Sequence, residues 1–185
     1  MNSKIKDLNF LFFKYYHDNP ELRRSVMNHS ELVAKKALHI AKEKKLRLDP
    51  KDIYCAAMLH DIGVVKCKAP GIHAHGELPY IQHGIVGKKM LEENGLKKYA
   101  SVCEVHTGAG LTADEIKSKN LELPVKNYLP HSMLEKLICY ADKFYSKSHD
   151  LDKEKSIESI IQQMKNYGDD SLARFMELHN LFHIS

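Results

Sequence analysis

The chain has no closely spaced pair of cysteines, no apolar run near the ~20 residues of a membrane-crossing helix, and no stretch that reads as a strand repeat. Each absence excludes a class. Cys55, Cys67, Cys103 and Cys139 are far apart and none forms a CxxC; three lie in apolar helical runs. That pattern reads as reduced core thiols of a cytoplasmic protein and not as a disulfide framework. The first candidate helix, residues 5–16, is broken by Lys6, Asp7 and Lys14, so no secretory signal is expected there. The net charge of +4 is modest, with both signs interspersed. It favours small anionic molecules and gives no basic stripe for nucleic acid. At 185 residues the chain can bury a core without disulfides or metal as staples, and it reads as a single all-α domain over 1–185.

What is present is helical periodicity with clear punctuation. Residues 5–16 carry Ile5, Leu8, Leu11, Phe12 and Tyr15 on one face. Pro20 marks a short second helix, and a third is expected from Asn28 or His29 to about Lys44. Asp49-Pro50 opens the next, through Ile53, Ala56, Ala57 and Leu59, with Gly63 as its stop. Residues 64–80 show no sustained period and read as a long loop of the kind that often serves as a lid. Helices follow from His83 to a stop at Gly95 and over 96–105. A short one follows the Thr112/Glu115 capping box, and another follows the Ser132/Glu135 box towards Phe144. Two C-terminal helices are expected within about 152–183, where Met164, Met176 and the phenylalanines read as packing residues.

Twelve histidines is a high count, and the question is which of them converge. His29, His60, Asp61, His83, His106 and Asp142 lie at apolar helix ends or on apolar faces, where an uncompensated polar group is costly. Four imidazoles and two carboxylates suit one or two transition-metal ions. Two ions about 3.5–4 Å apart can share a carboxylate and activate a water for attack on phosphorus. Each residue also has a plainer reading. His60 and Asp61 could cap and face solvent, His83 could cap a helix and touch phosphate, and His106 could hydrogen-bond a substrate. Lys66 and Lys143 flank these motifs and could meet phosphate oxygens as point charges. His73 and His75 read as loop histidines in water, and His17, His39, His131, His149, His179 and His183 have no partner that the sequence names.

His29, His60-Asp61 and Asp142, in that order, resemble the signature of the HD-domain metal-dependent phosphohydrolases, and Ile62-Gly63 makes it the HDIG form. The resemblance extends to His83-Gly84-Ile85-Val86-Gly87 and Tyr140-Ala141-Asp142-Lys143, and covers about 28–148. It implies a compact all-α bundle in which His29, His60, Asp61 and Asp142 hold one divalent transition metal. In members with two further histidines, matched by His83 and His106, it implies a second ion with Asp61 as the bridge. Iron, manganese and zinc all suit such a donor set. His106-Thr107-Gly108 and 137–142 are similar to bacterial HD-type hydrolases that split diadenosine tetraphosphate; residues 66–80 and 109–130 lengthen the regions that would frame a substrate. The activity implied is hydrolysis of a small-molecule phosphate ester or nucleotide, with Asp61, Lys143 and Lys66 as the catalytic candidates and no nucleic-acid or membrane partner. Two other classes share the scaffold: di-iron oxygenases, and non-catalytic domains that bind a nucleotide. The oligomeric state is left open.

Overall fold

In a computed structural model, residues 3–147 and 153–184 are described, with side chains from Leu8 onward. The described residues form nine α-helices and a small three-stranded sheet, an all-α architecture. Helix α2 (Pro20–Glu43) is one continuous helix, where the sequence suggests two. Asn19 caps it by accepting from the Leu22 amide, and no glycine or proline follows Pro20 to break it. His29 and Ser30 are buried on the same face as the apolar residues from Leu22 to Ala41, with no break between them. His29 therefore lies mid-helix, not at a helix start.

Helix α3 (Pro50–Leu59) begins at the expected Asp49 cap, whose side chain accepts from the Lys51 amide at 2.9 Å. It ends before Gly63: His60 is the C-cap, and a 3-10 turn takes over from Ile62. Gly63 is needed for a different reason. A Cβ there would lie 2.1 Å from the His83 carbonyl oxygen and 2.4 Å from the Gly87 amide nitrogen. The turn after His60-Asp61 thus presses directly on helix α4 (His83–Glu93). Gly63→Ala is expected to force these backbones apart, costing about 3 kcal/mol or more. A melt should show Tm lower by about 10 °C; an unchanged Tm would mean that the approach is not required.

Residues 64–80 are not a plain loop. They contain strands β1 (Cys67–Ala69), β2 (Ala74–His75) and β3 (Leu78–Pro79), in the order β2-β1-β3. Lys68 pairs antiparallel with His75, and Cys67 pairs parallel with Leu78. Strands of two and three residues are too short to show a period of two, which is why the sequence hides them. Helix α1 (Ser3–Tyr16) steadies the neighbouring turn: the buried Tyr16 hydroxyl donates to the Ile62 carbonyl at 2.9 Å.

The remaining helices are α5 (Lys97–Val105), α6 (Ala113–Ser118), α7 (Met133–Asp142), α8 (Ile157–Tyr167) and α9 (Asp169–Phe182). Both capping boxes read from sequence form, at Thr112/Glu115 and Ser132/Glu135. Helix α7 stops at Asp142, two residues short of Phe144, and α8 begins after Ser156, within the expected 152–183. His149 lies outside the described residues. Helices α2, α3, α5 and α7 pack around the centre, α4 lies on α5, and the α8–α9 hairpin is joined to α7. Tyr140 of α7 meets Phe175 and Phe182 of α9, both fully buried, and its hydroxyl lies 3.0 Å from His179 Nδ1. No helix of the described residues is long and apolar enough to cross a membrane.

Candidate metal centre

The six polar residues singled out from the sequence come together. His29, His60, Asp61, His83, His106 and Asp142 are all buried, and they form two groups that share Asp61. His29, His60, Asp61 and Asp142 make one; Asp61, His83 and His106 make the other. In each, the candidate ligand atoms lie within 4.8 Å of one another.

Helix ends aim three of the imidazoles. The last carbonyls of a helix have no backbone partner within it, and His60 and His106 each stand one residue past a helix end. His60 Nδ1 meets the Ala57 carbonyl at 2.6 Å and His106 Nδ1 meets that of Cys103 at 2.8 Å. His83, the first residue of α4, repeats the pattern on the Tyr80 carbonyl at 2.7 Å. A carbonyl oxygen only accepts, so Nδ1 carries a proton in all three rings, and in each ring that is neutral Nε2 keeps its lone pair. Those three Nε2 atoms face inward. His83 Nε2 and His106 Nε2 are 2.9 Å apart, an approach of two acceptors that a cation between them would relieve.

Asp61 lies between the two groups with one oxygen toward each. Its Oδ2 is 3.0 Å from His60 Nε2 and 3.4 Å from His29 Nε2. Its Oδ1 is 3.4 Å from His106 Nε2 and 3.5 Å from His83 Nε2. Neither oxygen accepts a well-directed hydrogen bond, although both are fully buried. Their compensation is Coulombic, from His60 and then from Lys147, whose Nζ lies 2.7 Å from Oδ2. Asp142 Oδ1 lies 2.9 Å from His29 Nε2 and 3.4 Å from His60 Nε2. Buried carboxylate oxygens without directed donors, beside converging imidazole lone pairs, fit a divalent transition metal.

Protonation follows from burial and neighbouring charge. Burial, with Lys147 nearby, lowers the His29 pKa to about 4. Burial and His106 lower that of His83 to about 3, and burial lowers His106 as well. For His60 burial is outweighed by the charge of Asp61 and by contacts with Asp142 and Asp61, which push it up to about 9. Burial works against ionising both carboxyls, yet His60 and Lys147 hold Asp61 well below the ordinary range, and Lys143 and Lys147 do the same for Asp142. Ionised carboxylates and largely neutral imidazoles are the forms that bind metal.

The two lysines named from sequence part company. Lys143 Nζ donates to Asp142 Oδ2 at 2.6 Å and to the His106 carbonyl at 3.1 Å, tying the two groups together. Lys66 is exposed and lines a separate cavity with Tyr15, Asn19 and His75. His73 and His75 are also exposed, as expected, although His75 lies in β2. Sequence reasoning passed over Lys147, which follows α7 in a segment with no period to flag it. It also passed over Arg174 of α9, which donates to the Ala109 and Gly110 carbonyls and to both oxygens of Glu115. These bonds anchor the segment that follows His106. The metal groups open onto a cavity of about 430 Å³ lined by His83, His106, Asp142, Lys143, Lys147 and Lys155, with Tyr80, Tyr145 and Tyr167 among its walls.

The family model of the HD domain matches residues 26–147, and the chain belongs to that family. Two relatives carry the name tRNA (cytidine(56)-2'-O)-methyltransferase, from Picrophilus torridus and Thermoplasma volcanium, at 29% and 28% identity over 156 residues. The aligned part is 83% of this chain and 40% of those proteins, so the chain spans less than half their length. An uncharacterized protein of Methanocaldococcus jannaschii is 35% identical over 122 residues, 64% of each chain. No solved structure gives a significant match.

Proposed function

We propose that this HD domain is a metal-dependent phosphohydrolase acting on a small phosphate ester, of which a nucleotide is the leading candidate. One observation carries the reading: Asp61 presents one oxygen to His29 and His60 and the other to His83 and His106, beside a cavity lined by three lysines. His29, His60, Asp61 and Asp142 would hold one ion, and Asp61, His83 and His106 a second. Iron, manganese or zinc bound there supplies Lewis acidity to phosphoryl oxygens and lowers the pKa of an attacking water. In the reaction the water oxygen bonds to phosphorus, the ester P–O bond breaks, and the departing oxygen takes up a proton. The chain's own part is to place charge. Lys143 fixes Asp142 against the His106 turn, while Lys147 and Lys155 offer cations along the cavity wall. Tyr145 and Tyr167 supply ring surface suited to an aromatic base, and the cavity size suits a nucleotide-sized molecule.

The named relatives support a second reading, in which the phosphate is carried by RNA. Their methyltransferase name describes proteins more than twice as long as the aligned part, so methyl transfer is not assigned to this domain. The experiment is a hydrolysis screen, reading both free phosphate and nucleotide products, of metal-depleted protein reloaded separately with manganese, iron or zinc. Substrates would include nucleoside mono-, di- and triphosphates, dinucleoside polyphosphates and 2'- or 3'-phosphorylated oligonucleotides. Metal-dependent release from nucleotides is expected. Release from the oligonucleotides alone would favour the RNA reading, and dioxygen-dependent product formation with iron would replace both by an oxygenase.

A further inference from the structure

Lys147 is not part of the histidine and aspartate set, yet it makes the closest cationic contact with Asp61. Its Nζ lies 2.7 Å from Asp61 Oδ2, nearer than either imidazole of that group, and its side chain is 14% exposed. The same side chain lines the cavity beside the centre. It stands five residues beyond Asp142, after α7 has ended, so moving it breaks no helical hydrogen bond. Lys143 differs: its ammonium is held by Asp142 and by the His106 carbonyl.

Oδ2 of Asp61 belongs to the group His29, His60, Asp61 and Asp142, which is the set that would hold an ion. An ammonium and a divalent cation both seek that oxygen, and like charges at such separations repel strongly where water is scarce. We propose that Lys147 is a built-in counter-cation of the metal centre. It neutralises Asp61 in the metal-free protein, yields that oxygen to the metal, and then stands in the cavity as a cation for an anionic group of the substrate. The second half rests on the phosphate-ester reading; the first does not. A lysine that only supported the fold would be needed in both states and would not oppose the metal.

The test is a manganese titration of metal-depleted wild type, Lys147→Met and Lys147→Arg, followed by binding of inorganic phosphate to the manganese-loaded proteins, both by calorimetry. Methionine keeps an unbranched chain of similar length without the charge. Lys147→Met is expected to bind manganese about tenfold more tightly or better, with Lys147→Arg near wild type. Manganese-loaded Lys147→Met should bind phosphate about tenfold more weakly, while Lys147→Arg retains it. Equal or weaker manganese affinity in a folded Lys147→Met overturns the competition, as does no manganese binding by wild type. If the methionine variant does not fold, Lys147→Gln takes its place in both titrations under the same criteria. Unchanged phosphate binding overturns the second half. A wild type that binds manganese but hydrolyses nothing in the screen removes the hydrolase reading and leaves the competition standing.

Discussion

Asp61→Ala is expected to bring bound metal to background and to lower turnover by at least about three orders of magnitude, while the helical circular dichroism signal persists. Asp61 is the residue common to both candidate ligand groups, so its loss removes a donor from each. The substitution also leaves buried cationic character at His60 and Lys147 without its nearest anion. Breaking a buried pair costs about 3–5 kcal/mol when the remaining charge cannot escape. Here Lys147 can turn into the cavity that it lines, which should keep the cost toward the lower end. The core does not depend on the centre, because Leu22, Val26, Ile53, Leu59, Leu137, Ile138, Phe175 and Phe182 belong to a buried apolar cluster that needs no ligand. Asp61→Asn keeps the side-chain shape and removes the charge, and it should lose metal as well. Elemental analysis and steady-state rates on the three proteins decide. Wild-type turnover with full metal content in either variant would sink the assignment.

Much of this arrangement was legible in the sequence because punctuation and costly polar residues are local signals. Asp49-Pro50, Thr112 with Glu115, and Ser132 with Glu135 announce helix starts through hydrogen bonds that reach only two or three residues. His60-Asp61 stood out because such a pair after an apolar helix requires an explanation, and all six candidate ligands proved to be buried together. Where the reading failed, the deciding forces were long-range. His29 looked like a helix start, yet it lies mid-helix, and the partner that explains a buried imidazole there is Asp142, 113 residues away. Gly63 looked like a stop, whereas the backbone of α4 pressing on it gives the reason for glycine. Lys66 lies beside the His60-Asp61 motif in sequence but faces another cavity, while Lys147 gave no local signal and reaches Asp61 through tertiary folding.

The number of ions separates two chemistries, and His83 and His106 decide it. A single-ion site needs His29, His60, Asp61 and Asp142 and leaves the other two imidazoles to meet substrate. The geometry argues for a second ion. Nδ1–H of His83 and of His106 donates to the carbonyls of Tyr80 and Cys103, so the two Nε2 lone pairs oppose one another at 2.9 Å with Asp61 Oδ1 close to both. A proton shared between them would also relieve the repulsion, but burial lowers the pKa of both rings, that of His83 to about 3. At neutral pH a metal ion is the better occupant. Wild type should therefore bind about two ions per chain, and His83→Ala or His106→Ala should lower that to about one, with turnover down by roughly 100-fold or more. Metal analysis after identical reloading is the measurement. One ion in wild type, unchanged in both variants, would return these histidines to substrate binding, and their effect should then fall on KM with metal content intact.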